Sequence, residues 1–490
     1  MRRLKALGFV LLGALLLLAA VLAWRTATLR APASADLAQV ALAEAPAVDN
    51  ARAARHLAEA VRIRTVSHQD PAENDTAQWD RLHAWLTEAY PAAHAAMTRD
   101  LLAGHTLVYT WPGRDPARRP IVLMAHHDVV PVTPGTEGDW RHPPFDGVIA
   151  DGAVWGRGAV DDKGSLVAIF EALETLAEAG FTPAASVIVV SGHDEEAGGS
   201  GAAAAAKLLE ARGIEAEFVL DEGLAVVEDF PLLGRPVALV GVAEKGYGTL
   251  RVTANATGGH SSAPPPDTGV ETLARAVLAI TDHPFPLRFD GPAADMVRTL
   301  APDAGFAVRM AAANAWLFEP LLVRQLGATP AGAAMLHTTI APTMLRGSPK
   351  ENVLPQDAAA WINYRIAPGT TSAEVLERAR AATRGLDVEL SWESPPYDPP
   401  PVSSTDSQAW KWIAGAAARG GEFPVAPGLV TATTDSRHMT GIARDIYRFQ
   451  PIVASVRDFE MIHGTNEHLT LENLARLTAF YAQLVASATR

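Results

Sequence analysis

The sequence predicts an α/β protein: a mostly parallel sheet flanked by helices, interrupted by an inserted α+β domain and preceded by an N-terminal apolar helix. Three observations carry this prediction. Strand-like and helix-like runs alternate from Asp49 to about residue 246, the pattern of a parallel sheet covered on its faces. After Lys245 the strands change character, apolar residues alternating with polar ones as in a sheet with one wet face. The uncharged stretch Ala6–Trp24, which follows Arg2, Arg3 and Lys5, has the length of a membrane span, since nineteen residues at 1.5 Å each cover ~28 Å.

That stretch is either an uncleaved anchor or a long signal peptide, because Val21 and Ala23 offer small residues for a cleavage site. Its length favours the anchor, as the apolar part of a signal peptide spans only ~7–15 residues. Positive charge ahead of it keeps that end cytoplasmic and sends the body to the periplasmic or extracellular side; cleavage would make the body secreted. Residues 1–25 are thus the anchor or signal segment and residues 26–48, rich in Ala, Pro and Thr, a tether.

The first part of the main domain spans 49–246. Helices are expected over Asp49–Ile63 and Asp75–Tyr90, the second stopped by Pro91. Strands follow at Thr106–Thr110, Ile121–Ala125, Ser186–Ser191 and Phe218–Leu220. Between them lie helices at about Lys163–Ala179 and Gly201–Ala211, with Gly180 and Gly213 where helix C-caps want glycine. The inserted domain, 247–392, has strands around Leu250, Val252 and Ala254, at Ala360–Ile366 and at Val388–Trp392. Thr371 and Glu374 form a capping-box pattern ahead of the helix Val375–Arg384. The middle of this domain, from His283 to about Gly327, is helical in pattern without an assigned place. Pro395–Pro401 returns the chain to the second part of the main domain, 393–490, with helices at Ser407–Arg419 and Glu472–Ser487.

Composition narrows the function. A chain of 490 residues exceeds what one core organises, which agrees with two domains. The net charge of −14, from 55 acidic against 41 basic residues with no basic block in the body, argues against a nucleic-acid partner. Cysteine is absent, which excludes disulfides, thiolate ligands and a cysteine nucleophile. Any metal must be held by imidazole and carboxylate.

Five segments offer such ligands at strand ends and glycine-rich turns, where ligands bind in open α/β sheets. His126 follows the apolar run Ile121–Ala125, and Asp128 is placed to accept its second ring N–H and fix the tautomer. Asp161 lies in the turn Gly156-Arg-Gly-Ala-Val-Asp161-Asp162-Lys-Gly-Ser165, where a carboxylate can bridge two cations, while Asp162 or Ser165 takes the bland role of helix N-cap. Glu195 and Glu196 close the strand Ser186–Ser191; neighbours in a turn point different ways, so one can bind metal and the other move a proton. Asp221 follows Val219 and Leu220, and His463 lies in Met461-Ile-His463-Gly-Thr-Asn-Glu467 before the last helix. Each segment alone is more simply an N-cap, an acidic turn or a structural histidine. The set of five is specific.

In order and local sequence these segments resemble the M20 family of zinc-dependent metallopeptidases and amidohydrolases, most of all its carboxypeptidase S and N-fatty-acyl-amino-acid synthase/hydrolase branch. The resemblance runs from about residue 50 to the end and includes Gly-His260-Ser-Ser-Ala-Pro-Pro, Asn-Ala-Trp316-Leu-Phe-Glu-Pro, Asn352-Val-Leu-Pro and Thr-Asp435-Ser-Arg437. It implies two zinc ions per chain bridged by Asp161, one completed by His126 and Asp221, the other by Glu196 and His463. It also implies Glu195 as general base, with Asp128 as partner of the first histidine, and the inserted domain as lid or dimerisation domain. His260, Asn352 and Arg437 fall in substrate-binding motifs, His260 to polarise the scissile carbonyl and Arg437 to clamp a substrate carboxylate. Arg437 can equally be a structural partner of Asp435. The activity implied is cleavage of the amide next to a carboxyl-terminal or N-acyl-linked amino acid, as in a carboxypeptidase of the Gly-X type. The alternatives are an N-fatty-acyl-amino-acid hydrolase/synthase and, from another class, a catalytically inactive membrane-anchored binding protein. Small peptides or N-acyl amino acids are the expected substrates, and homodimerisation through the inserted domain is the expected assembly.

Overall fold

The computed structural model describes residues 2–32, 37, 40–419 and 423–490. Residues 33–36 and 38–39 of the expected tether lie outside them. The main sheet has eight strands in the order Thr98–Leu102, Thr106–Trp111, Val187–Ser191, Ile121–Met124, Phe218–Phe230, Ile446–Ala454, Arg235–Glu244, Val425–Val430. Its four central strands, from Val187–Ser191 to Ile446–Ala454, are parallel, and antiparallel pairs lie toward the edges.

Two of the central strands, Ile121–Met124 and Val187–Ser191, are almost wholly apolar because helices cover both faces. Ile121, Leu123, Val187 and Val189 face the helices Asn50–Val61, Lys163–Glu178 and Leu471–Ala488, in one core with Leu57, Phe170 and Tyr481. Val122, Met124, Ile188 and Val190 point the other way, onto Ala202, Ala205 and Leu209 of the helix Ser200–Ala211. Every one of these eight strand residues is at most 1% exposed. At roughly 1.5–3 kcal/mol for each large apolar side chain, this two-sided burial is what fixes the strand ends that carry the site. Gly180 and Gly213 stand past their helices at φ +72° and +67°, in the left-handed region.

A four-stranded antiparallel sheet, ordered Thr339–Arg346, Asp357–Ile366, Gly246–Asn255, Glu389–Trp392, forms the second unit. Leu250, Val252, Ala254, Ala360 and Ile362 point to the helices Gly269–Thr281 and Ser372–Ala382, while intervening residues face out. The capping box of Thr371 and Glu374 is formed in full. The helices Gly291–Leu300, Phe306–Ala313 and Ala315–Leu326, from the stretch that pattern alone left unplaced, pack instead on the main sheet. Ala294, Val297 and Leu300 meet Val237, Leu239 and Ala426 there. One expectation is corrected: Pro91 does not merely stop a helix. It opens the short helix Pro91–Ala96, because its missing N–H costs nothing in a first turn.

The helix Arg2–Thr28 is long and apolar enough to cross a membrane, and its side chains from Leu4 to Leu17 are largely exposed. Its last turns are held by the main body: Arg309 Nε donates to Thr26 O (3.0 Å), Arg25 Nε to Ala313 O (2.9 Å) and Asn314 Nδ2 to Leu22 O (3.4 Å).

Candidate metal centre

Four of the five expected ligands meet at the carboxyl ends of the parallel strands, His126 and Glu196 following strands and Asp161 and His463 coming from turns beside them. His126 Nε2 is 2.9 Å from Asp161 Oδ1, and His463 Nε2 is 3.1 Å from both Asp161 Oδ2 and Glu196 Oε2. Asp161 thus offers one oxygen to each imidazole, the arrangement a bridging carboxylate needs. Asp128, fully buried, lies behind His126: its backbone oxygen is 3.0 Å and its Oδ1 3.3 Å from His126 Nδ1. The carbonyl is the nearer acceptor, so the backbone shares the tautomer-fixing role expected of the side chain.

The third segment separates its four titratable residues. His193 Nδ1 pairs with Thr106 Oγ1 (2.6 Å), and Asp194 accepts from the Ser200 and Gly201 N–H groups at the next helix start. Glu195 N and Glu196 N donate to the two oxygens of Asp128, each at 3.2 Å, which fixes the turn so that the two side chains diverge. Glu196 meets His463. Glu195 instead lies 3.9 Å from Arg437 Nη1 and bonds neither imidazole among the described residues.

Asp221, the fifth expected ligand, pairs with neither imidazole among the described residues. Its oxygens accept from Glu222 N (3.0 Å) and Ser436 N (2.8 Å), while Glu222 Oε1 lies 3.5 Å from His126 Nε2. The cause is a bulge: Arg448 is opposite Asp221 and Phe449 opposite Leu224, so Glu222 and Gly223 are extra residues that re-aim the carboxylate. His126, Asp161 and Glu196 form one group with ligand-capable atoms within 4.8 Å of one another, and His126, Asp162 and Glu222 form a second.

Two further residues shape the site. Asp435 is buried with no hydrogen-bond partner for either oxygen among the described residues. It occupies space that glycines leave: a Cβ on Gly192 would come within 2.3 Å of its Oδ2, and one on Gly199 (φ +70°) within 2.2 Å of its Oδ1. Glu467, whose segment was noted for His463 alone, accepts from the N–H groups of Gly158, Val160 and Asp161 and from Arg157 Nη1.

The charges call for cations. Burial pushes the carboxyls of Glu195, Asp162 and Asp435 well above the ordinary range. Burial and then the Asp161 charge push Glu222 up to about 8, while hydrogen bonds to Asp161 and Glu196 push His463 up to about 10. Asp161 is held low by His126 and His463 although burial opposes it. With Glu196 Oε1 also buried and without a partner among the described residues, this donor set of imidazole and carboxylate suits divalent metal, which takes the place of the imidazole protons. A cavity of about 360 Å³, lined by Ser67, His68, Val130 and Pro131, opens beside Glu196.

The remaining expected residues are spread out. Arg437 donates to Thr434 O (2.6 Å) and Gly198 O (2.9 Å) beside Glu195, with its Nη1 4.0 Å from Asp435. His260 is exposed on the second unit with Nδ1 2.8 Å from Ser262 Oγ, and Asn352 O accepts from Ser261 N. Neither His260 nor Asn352 bonds the metal-ligand cluster among the described residues.

An α/β sheet with this imidazole and carboxylate cluster at its strand ends is the framework of a metal-dependent hydrolase. Residues 122–487 match the model of peptidase family M20/M25/M40, and the chain belongs to that family. It is 36% identical to the N-fatty-acyl-amino acid synthase/hydrolase PM20D1 of Xenopus tropicalis, over 99% of this chain and 96% of that one. It is 34% identical to probable carboxypeptidase S-like 2 of Dictyostelium discoideum, over 88% and 84%. The fold is that of the M20 family metallo-carboxypeptidase Sso-CP2 of Sulfolobus solfataricus, with TM-score 0.64 and 18% identity over 89% of this chain and 98% of that one.

Proposed function

We propose that the chain is a membrane-anchored, two-zinc hydrolase of the amide next to a carboxyl-terminal or N-acyl-linked amino acid. The divergence of Glu195 from Glu196 carries this reading, because it leaves one buried carboxylate free beside the ligands, and a purely structural metal site has no use for it. Asp161 would bridge the ions, His463 and Glu196 would hold one, and His126 with Glu222 the other. Bound zinc supplies Lewis acidity that polarises the amide carbonyl and acidifies water. Glu195 takes the proton of the attacking water and returns it to the leaving nitrogen. Asp128 positions His126 and the turn bearing both glutamates. Arg437, beside Glu195, is assigned to a substrate carboxylate, which its guanidinium can grip in bidentate fashion. His260 and Asn352 belong to the second unit, which is built on the four-stranded sheet and leaves the helices within 291–326 on the main body, and would reach substrate when that unit approaches as a lid. The exposed edge strand Thr339–Arg346, with Met344 and Leu345 outward, supports its pairing with a second copy.

The second reading, an N-fatty-acyl-amino-acid hydrolase/synthase, is favoured by the relative matched over 99% of the chain. Assaying the full chain with added zinc against dipeptide and fatty-acyl amino acid panels separates the two. Turnover of dipeptides with a free carboxyl end is expected; turnover confined to fatty-acyl substrates supports the second reading, and none in either panel overturns both.

The ligand assignment has its own test. Glu222→Ala is expected to weaken one ion's binding by more than the ~10–100-fold that follows loss of a supporting partner, with Asp221→Asn inside that range. Metal titration of both variants decides; the reverse order returns the ligand role to Asp221.

A further inference from the structure

We propose that the outer faces of the helices Phe306–Ala313 and Ala315–Leu326 form a second membrane contact, which seats the body on a phospholipid bilayer beside its N-terminal anchor. This rests on the anchor reading of Arg2–Thr28 and extends it.

The position of the two helices sets their depth. Asn314, buried at their junction, donates to Leu22 O and to Thr26 Oγ1 (3.3 Å), and Arg309 donates to Thr26 O. Leu22 lies two residues inside the apolar stretch that ends at Trp24, so these helices meet the anchor where it leaves the hydrocarbon. At this level the body does not cover its apolar side chains. Phe306 is 73% exposed, Trp316 58%, Leu321 55% and Leu317 40%. The opposite sides supply Ala311, Ala312 and Leu322 to the core beneath, so the exposed residues are not a failed core. Trp24 on the anchor is itself 71% exposed.

A tryptophan with large aliphatic neighbours at headgroup depth is the composition of an interfacial helix. A cluster of large exposed apolar side chains on two adjoining helices marks an interaction surface. Continuity with the anchor makes lipid its occupant, because any second protein would have to insert between the body and the bilayer surface at the point where the anchor emerges. The exposed Glu319 and Arg324 on the same helix lie beside the patch and suit the headgroup layer.

The test uses the full chain in phosphatidylcholine liposomes, with the photoreactive p-benzoylphenylalanine in place of Leu317 or Leu321. Leu278 and Leu101, 60% and 55% exposed elsewhere on the body, serve as controls. Phospholipid adducts several-fold above both controls are expected at 317 and 321. Adducts at control level, or cross-links to a second copy of the chain, overturn the proposal. Alkaline carbonate extraction reports on the anchor separately. A chain retained in the bilayer without adducts at 317 and 321 sinks this contact alone, and a chain extracted yet still forming them sinks only the anchor. Trp316→Glu with Leu321→Glu should lower the adduct yield at 317 at least several-fold, and an unchanged yield also overturns the proposal.

Discussion

Glu195→Gln is expected to lower kcat by about 10²–10⁴-fold while metal content and thermal stability stay at wild-type levels. The geometry makes this separation sharp. Glu195 bonds neither imidazole of the cluster among the described residues, and the bond that places its backbone, N–H to Asp128, survives the substitution. Glutamine keeps the shape and an acceptor oxygen but cannot take a proton from water or return one to a departing nitrogen. The neighbouring Glu196→Gln should behave otherwise: its Oε2 is 3.1 Å from His463, so metal content falls with activity. Metal analysis and single-turnover rates on both variants read the contrast. Unchanged turnover in Glu195→Gln with metal retained would remove Glu195 from proton transfer and leave the inactive-scaffold reading to be tested by the wild type's own turnover.

The sheet and the positions of most site residues were legible because they depend on short-range pattern. A short continuous apolar run such as Ile121–Met124, set among alternating strands and helices, reads as a strand buried on both faces, and the polar residues that follow Ala125 lie at its carboxyl end. Glu222 was not legible, since its direction depends on the register of Phe218–Phe230 against Ile446–Ala454, more than 200 residues away. In the sequence Asp221 and Glu222 are two adjacent acids after a strand, and the ligand role expected of Asp221 comes from the family resemblance. Asp435 stands in its sequence motif, but its pocket is not legible for a similar reason: it is made by the missing side chains of Gly192 and Gly199, on another segment. The helical period of Gly291–Leu326 is local too, whereas the sheet it covers is chosen by Val237, Leu239 and Ala426.

Glu467→Leu is expected to destabilise the fold by about 3–5 kcal/mol, because it leaves the Arg157 guanidinium buried without its counter-charge. Both side chains of this pair are at most 2% exposed, at 2.7 Å. The loss extends to the site. Glu467 Oε1 accepts from Val160 N (2.9 Å) and Asp161 N (3.1 Å), its Oε2 from Gly158 N (2.9 Å), and Arg157 Nη2 reaches Gly464 O (2.8 Å). These bonds lock the turn bearing Asp161 to the turn bearing His463, so metal affinity should fall together with the denaturation midpoint. The double variant Arg157→Met, Glu467→Leu separates the two effects. Removing both charges should restore much of the stability, since no ion is left buried and unpaired. It cannot return an acceptor to the three backbone N–H groups, so metal affinity should stay low. If affinity recovers with stability in the double variant, Glu467 holds the charge of Arg157 and not the geometry of the bridging carboxylate.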